Sequence, residues 1–223
     1  MNIVTVIGSP HGMKGNTGQL LSRVEESLKA SGAEVTQFDV TRMDVKPCRG
    51  CGSCHKTGQC VIKDDFKKVE EAFMKADGIV LASPNYIFSV TAQMKALMDR
   101  CSCPIHCQAL EGKYGAAVVT SGGSGSDVVE GYILHFLRAL GCWTVGSVAA
   151  EASEVEGKGG RGARFGEAGD LGNRMVAAIR DSQTFADQES ERAAFFGRMK
   201  ALISMHKEDW PHEYRYWKSL GRI

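Results

Sequence analysis

Four cysteines in the first third of the chain form its clearest chemical signal. They lie in a cysteine loop, residues 47–61, with the spacing C-x2-C-x2-C-x5-C. Three thiolates at intervals of three residues can bind one corner of an iron–sulfur cubane while a fourth closes the site. Three glycines between the cysteines permit the unusual backbone angles that such a loop needs. The predicted metal ligands are Cys48, Cys51, Cys54 and Cys60.

Three alternatives to a cluster stay open for this loop. Zinc would accept four thiolates, but structural zinc sites usually use two separated pairs of cysteines. The stretch Cys51-Gly-Ser-Cys54-His55 matches the attachment motif of c-type haem, which requires export, and no signal peptide precedes the first strand. A cysteine-rich loop without metal is the simplest alternative. The spacing favours an iron–sulfur cluster over all three.

The other four cysteines are Cys101, Cys103, Cys107 and Cys142. The first three form a second group, for which a specialised substrate site, a second redox site and an inert buried set all stay open. Cys142 stands at the start of a predicted strand, where we expect a small buried side chain without a chemical role. With no export signal, we expect a cytoplasmic protein, where clustered thiols hold metal or do redox chemistry more often than they form disulfides.

The segment Gly8–Thr17 joins the first predicted strand to the first helix and has the composition of a phosphate-binding turn. Small and hydroxyl residues at a helix N-terminus supply free backbone N–H groups for an anion. The segment is not a Walker loop, because no Lys-Ser or Lys-Thr pair follows a glycine at the required spacing. It also lacks G-x-G-x-x-G, which weakens a dinucleotide-binding interpretation despite Asp39 near the end of the second strand.

Strands alternate with amphipathic helices along the chain, which predicts an α/β fold whose parallel sheet is covered on both faces. Ligands of such sheets bind beyond the carboxyl ends of the strands, so the phosphate turn and the cysteine loop both lie in candidate positions. Residues 151–170 are rich in Gly and Glu and are predicted to form an exposed loop, with helices near 171–179 and 190–205 after it. The predicted strands are Asn2–Gly8, Ala33–Val40, Gly78–Ala82, Gly115–Thr120 and Trp143–Ala149.

Composition excludes several classes of protein. A hydrophobic share of 43% and a charged share of 24% are ordinary for a globular chain, so a disordered one is not expected. The net charge of +1 gives no reason to expect nucleic acid or an anionic membrane as partner. No apolar run approaches the roughly 18 residues that span a bilayer. The aromatic tail, Trp210–Trp217, is expected to pack on its own domain or on a neighbouring subunit, and a roof over the active site is the minority alternative.

Three stretches together resemble the flavodoxin-like NAD(P)H-dependent FMN reductases. Ser9-Pro10 with Gly15-Asn16-Thr17 resembles their phosphate loop, Ser83–Phe88 the segment along the flavin ring, and Thr120–Gly123 a third ring-contacting loop. The resemblance covers residues 1 to about 150. It implies a doubly wound five-stranded sheet of order 2-1-3-4-5. The implied FMN-binding residues are Ser9, His11, Gly15, Asn16, Thr17, Pro84, Asn85, Tyr86, Ile87, Phe88, Ser121, Gly122 and Gly123.

Within that superfamily, the cysteine loop resembles the iron–sulfur flavoproteins, which carry a [4Fe–4S] cluster after the second strand and close to FMN. The resemblance implies a flavodoxin-like domain over residues 1–185 and a helical, aromatic C-terminal extension over 186–223. It also implies electron transfer between FMN and the cluster, with NAD(P)H, ferredoxin or a small acceptor as partner, in a homodimer or homotetramer. No general acid or base is assigned. The alternatives are a cluster-free NAD(P)H:FMN or quinone reductase and a non-enzymatic electron carrier.

Overall fold

A parallel sheet forms the centre of the computed structural model, which describes residues 1–156 and 161–223. Its five strands follow the order β2-β1-β3-β4-β5, so the predicted flavodoxin-like α/β architecture is confirmed. Every strand of the sequence-based prediction is present, with bounds that move by one or two residues. The strands are β1 Asn2–Ile7, β2 Glu34–Asp39, β3 Gly78–Pro84, β4 Tyr114–Ser121 and β5 Trp143–Glu151.

Helices cover both faces of the sheet. On one face α3, α4 and α6 bury a cluster that includes Phe66, Met94 and Leu137. On the other, α1 and α8 bury a second cluster that includes Leu21 of α1, Val80 of β3 and Leu171 of α8. The helices are α1 Asn16–Ala30, α2 Ser53–Thr57, α3 Phe66–Lys75, α4 Ala92–Asp99, α5 Ser102–Cys107, α6 Ser126–Ala139, α7 Ala152–Glu156, α8 Arg161–Arg180, α9 Ala186–Met205 and α10 Pro211–Ser219.

The loop predicted over residues 151–170 is wrong, because β5 ends at Glu151 and α7 and α8 occupy most of that stretch; residues 157–160 lie outside the described residues. Two glycines of α8 mark a close helix contact. A Cβ on Gly172 would lie 2.8 Å from the Val24 carbonyl oxygen, and one on Gly169 would lie 3.2 Å from Ser27 Oγ. Both glycines serve packing of α8 against α1. Gly169 lies in the stretch predicted as a loop, whereas Gly172 lies in the helix predicted near 171–179.

The C-terminal extension packs on its own chain, as expected of the aromatic tail. Gln188 holds α9 to the edge strand β5, accepting hydrogen bonds from the backbone and hydroxyl of Thr144 and donating one to its carbonyl. Arg192 donates to the Gly141 and Cys142 carbonyls. Trp217 of α10 is fully buried and donates from Nε1 to the His106 carbonyl at 2.9 Å. The extension therefore covers α5 and the cysteine loop.

Across the part of the chain that the structure describes, no helix is both long enough and apolar enough to cross a bilayer.

Candidate functional site

A cleft of 610 Å³ lies at the carboxyl ends of β1, β3 and β4. This is the edge at which doubly wound sheets bind their ligands. Its walls come from the phosphate turn, the segments after β3 and β4, and helix α7. The lining residues are Ser9, His11, Lys14, Gly15, Asn16, Thr17, Pro84, Asn85, Tyr86, Thr120, Ser121, Gly122, Ala152 and Glu156.

One end of the cleft has the properties of an anion site. Helix α1 begins there, its N-cap is Gly15, and no side chain caps the helix, so its first backbone N–H groups are available to a ligand. Thr17 Oγ1 lies 2.6 Å from Thr120 Oγ1, which joins this end to β4. A Cβ on Gly15 would come within 2.6 Å of His11 Cβ, so only glycine allows the turn to close so tightly.

The other end of the cleft carries polar atoms that the protein leaves unpartnered. Asn85 Oδ1 and Ser121 Oγ are both buried without a hydrogen-bond partner among the described residues, while Asn85 Nδ2 donates to the Ser124 carbonyl. Buried polar atoms in native proteins are nearly always hydrogen-bonded. Two orphaned groups facing one cleft therefore indicate a polar ligand edge.

The structure brings most of the predicted cofactor residues together. Ten of the thirteen line the cleft, whereas Ile87, Phe88 and Gly123 do not. The side chains of Ile87 and Phe88 are 92% and 65% exposed, and both residues have positive φ. The segment that follows β3 thus exposes two apolar side chains, Ile87 and Phe88, beside the cleft.

Several cleft residues were missed by sequence reasoning. Lys14 supplies a cation beside the anion site, and its place inside the phosphate turn was a usable signal. Ala152 and Glu156 come from α7, in the stretch predicted as a loop. Glu156 Oε1 accepts a hydrogen bond from Asn16 Nδ2 at 2.8 Å, which ties α7 to the start of α1.

The cysteine loop follows β2 and folds around the short helix α2. Its three glycines, at positions 50, 52 and 58, have positive φ as the spacing predicted. Cys48 and Cys51 are exposed, Cys54 and Cys60 are half-buried, and all four are free thiols. The Gly50 N–H donates to Cys48 Sγ at 3.4 Å. Four free thiols and a backbone N–H to sulfur are the donor set of an iron–sulfur cluster, whose potential depends on such hydrogen bonds, although no three of these thiols lie within 4.8 Å of one another.

Neighbouring groups shift the pKa values of two thiols of the cysteine loop, Cys51 and Cys54, in opposite directions. Hydrogen bonds with Ser53 lower the pKa of Cys51, an exposed residue. Burial, with Glu213 and Cys60 nearby, raises the pKa of Cys54 to about 11. Since only thiolates ligate metal, binding at Cys54 must displace a proton.

A buried ion pair fixes the end of the cysteine loop. Arg100 Nη1 lies 2.8 Å from Asp64 Oδ2, and both side chains are almost fully buried. Arg100 also donates to the Lys46 carbonyl, so one guanidinium joins the segments before and after the loop. Although burial alone would raise it, hydrogen bonds from Arg100 and from the backbone N–H groups of Lys46 and Phe66 lower the pKa of Asp64.

The extension closes over the cysteine loop through a carboxylate and a stack of rings. His55 Nδ1 lies 2.5 Å from Oε1 of the fully buried Glu213. The Trp210 ring stacks on His55 at 5.0 Å and on His106 at 4.5 Å between centroids. The aromatic tail thus covers the cysteine loop, and no residue of the tail or of the loop lines the cleft in the described chain.

Comparison with known proteins identifies the family. The model of the NADPH-dependent FMN reductase family matches residues 1–156. The chain belongs to this family. An Archaeoglobus fulgidus relative described as an iron-sulfur flavoprotein is 31% identical over 224 residues, 100% of both chains. A relative of the same description from Methanosarcina thermophila is 37% identical over 125 residues, 55% of this chain and 64% of its own.

A solved structure supports the fold of this FMN reductase family member. RosB with a bound 8-demethyl-8-formylriboflavin-5'-phosphate intermediate aligns with a TM-score of 0.67 at 14% identity, covering 87% of this chain and 86% of RosB. At that identity the likeness shows the fold alone. Family membership makes the protein a flavin-dependent oxidoreductase, and the cleft has the parts that FMN needs: an uncapped helix N-terminus for the phosphate and unpartnered polar groups for the ring.

Replacing Gly18 with alanine is expected to weaken FMN binding about 10- to 100-fold, because overpacking of this kind costs about 1–3 kcal/mol. A Cβ at this position would lie 2.3 Å from Met13 Cα and 2.5 Å from the Gly12 carbonyl oxygen, so the phosphate turn would have to move. Titration of the apoprotein with FMN, followed by flavin fluorescence, measures the change. Gly131→Ala is the matched control, since open space surrounds that helical glycine. Equal FMN affinity for both variants would contradict the assignment of the phosphate turn as the binding site of the FMN phosphate.

Proposed function

We propose that this flavin-dependent oxidoreductase exchanges electrons between FMN and a [4Fe–4S] cluster held by Cys48, Cys51, Cys54 and Cys60. The observation that carries the proposal is the presence of this four-thiol loop in a chain that aligns end to end with a relative described as an iron-sulfur flavoprotein. NAD(P)H, ferredoxin or a small acceptor supplies electrons to these two centres or takes electrons from them.

The bound groups supply complementary chemistry, since FMN accepts two electrons and releases them singly while a cluster carries one. The chain contributes binding and orientation. Thr17 and the first N–H groups of α1 would hold the phosphate, and Asn85 and Ser121 would offer polar atoms to the ring. Around the cluster, the Gly50 N–H donates to a ligand sulfur, and the aromatic tail shields Cys54 from water.

We further propose that the exchange takes place across an interface between copies of the chain, in a homodimer or homotetramer. No cysteine of the loop lines the cleft of the same chain within the residues described, which favours an FMN and a cluster from different copies. The exposed apolar tip at Ile87 and Phe88 beside the cleft supports this, because such side chains are typical of interface cores.

A comparison of acceptors separates this function from a simple flavin reductase. With NADPH as donor, we expect wild-type protein to reduce both a quinone and a one-electron acceptor such as oxidised ferredoxin. The Cys54→Ser variant should keep its quinone rate and lose at least roughly tenfold in ferredoxin rate, because only the flavin chemistry survives. Unchanged rates with both acceptors would support the alternative, a cluster-free NAD(P)H:FMN or quinone reductase.

The same assay tests the second alternative, a non-enzymatic electron carrier. A carrier would turn over slowly with quinone and with NADPH, yet exchange electrons rapidly with reduced ferredoxin. The cleft favours the enzyme, since its outer edge is open between Tyr86 and Gly122, both exposed, and leaves the flavin position accessible to a small substrate.

A further inference from the structure

Helices α5 and α10 bring a second set of ligand atoms together, outside both the cleft and the four predicted cluster cysteines. The thiols of Cys103 and Cys107 and a ring nitrogen of His212 all lie within 4.8 Å of one another. The two cysteines are four residues apart on α5, so they share one helix face. His212 reaches them from the second residue of α10, more than a hundred positions later in the chain.

Nothing else in the described chain occupies these ligand atoms. Both cysteines are buried free thiols, 5% and 4% exposed. Neither ring nitrogen of His212 makes a hydrogen bond within residues 1–156 and 161–223; the ring stacks on Tyr216 at 6.5 Å and lies against Gly58. A Cβ on Gly58 would come within 2.3 Å of that ring, so the cysteine loop packs directly on His212 and limits its orientation.

The three residues line one side of a cavity of 1020 Å³ between α3, α5 and α10. Cys60 and Tyr216 also line this cavity. A site with three protein ligands and an open side toward a cavity is the arrangement of metal centres that keep an exchangeable fourth position.

We propose that Cys103, Cys107 and His212 bind a single divalent zinc ion, whose fourth position opens into the cavity. Thiolate and imidazole together are the ligands that such ions prefer. Ligands of one zinc converge to within roughly 4 Å of one another, since Zn–S bonds are about 2.3 Å long, and the three ligand atoms here already lie within 4.8 Å of one another. Within the described residues, the convergent three-ligand groups include none of the four predicted cluster cysteines.

The neighbouring group of His55, His106 and Glu213 is a weaker candidate for a metal site than the Cys103 group. His55 and Glu213 already pair with each other, and both histidine rings are covered by Trp210. This group holds the extension to the cysteine loop. His106 Nδ1 and Glu213 Oε2 are buried without a hydrogen-bond partner among the described residues, but the His55–Glu213 ion pair already engages two of its three members, whereas no ligand atom of the Cys103 group pairs with another part of the described chain.

Metal analysis of the full-length protein, with FMN bound and the loop cluster assembled under anaerobic conditions, tests the proposal. After equilibration with Zn²⁺ and removal of excess metal, we expect one zinc per chain beside the cluster iron. His212→Asn should weaken zinc binding at least about 100-fold, because even the loss of an outer-shell partner costs 10- to 100-fold. His135→Asn, which changes an exposed histidine on α6, is the matched control and should keep the zinc.

Two further variants separate this site from the cluster. With Cys103 and Cys107 both changed to serine, zinc should be lost while iron and FMN stay; loss of the iron would instead assign these cysteines to the cluster and overturn the proposal. With all four loop cysteines changed to serine, iron should be lost while the zinc stays. Co²⁺ added to that second variant should give thiolate-to-cobalt charge-transfer absorption, and His212→Asn should reduce it. Wild-type protein without zinc after equilibration, or zinc retained by the double cysteine variant, would also overturn the proposal.

Discussion

The Cys54→Ser variant is expected to lose its iron and to keep its FMN. Cys54 lies on α2 at the centre of the loop spacing and is half-buried beneath the extension, so its replacement removes one of the four thiols predicted to ligate the cluster. The cleft shares no residue with the cysteine loop in the described chain, and FMN binding should therefore be independent of the cluster. Iron and FMN assayed on one anaerobic sample, relative to protein, measure both predictions.

Lys56→Ala provides the control for Cys54→Ser. Lys56 is exposed on the same short helix and carries no thiol, so its replacement should leave the iron content unchanged. Iron retained by Cys54→Ser would remove this residue from the ligand set. Loss of FMN together with iron would show that the variant fails to fold, and Cys48→Ser, which changes an exposed thiol, then decides the ligand question.

Arg100→Met is expected to lower the free energy of unfolding by about 3–5 kcal/mol, the usual cost of removing one partner from a buried ion pair. Asp64 would keep its buried charge, and the Lys46 carbonyl would lose its donor. Because Arg100 joins both ends of the cysteine-loop segment, the variant should also assemble its cluster poorly. Urea denaturation measures the stability, and iron content measures the second effect.

Arg23→Met is the matched control for Arg100→Met, since its partner Glu26 is exposed and surface pairs contribute about 0–1 kcal/mol. The pH dependence gives an independent check. A lowered pKa in the folded state means that the pair stabilises above the ordinary carboxyl pKa of about 3.9 and loses this contribution as pH falls through the folded value. The stability difference between wild type and Asp64→Asn should therefore shrink below about pH 4. A difference that grows with acid, or equal costs for both arginine variants, would contradict the role of the pair.

The sheet could be predicted from the sequence because its strands are short, β-branched and buried on both sides, as in Asn2–Ile7 and Gly78–Pro84. The second half of helix α8 could be predicted, near 171–179, but the first half could not, because Gly169 serves contact with α1 and a helix contact leaves no local signal. The Gly- and Glu-rich composition of residues 151–170 therefore predicted a loop where tertiary packing favours a helix.

The candidate sites show the same division. The phosphate turn is local in sequence, so Ser9, Asn16 and Thr17 were predicted together and line one cleft. The convergence of Cys103 with His212 depends on how the extension folds back over α5, which no spacing within either helix could indicate. The local signal for that site was the four-residue spacing of Cys103 and Cys107, which places both thiols on one face of a helix.

An anaerobic absorption spectrum of freshly purified protein, with iron and acid-labile sulfide assayed on the same sample, tests the central claim most directly. The account predicts flavin bands over a broad brown absorption and about four irons per chain, as expected for a thiolate-bound [4Fe–4S] cluster. Clean flavin bands without iron, even after reconstitution with iron and sulfide, would contradict the two-centre function and leave an FMN reductase whose loop cysteines bind no cluster.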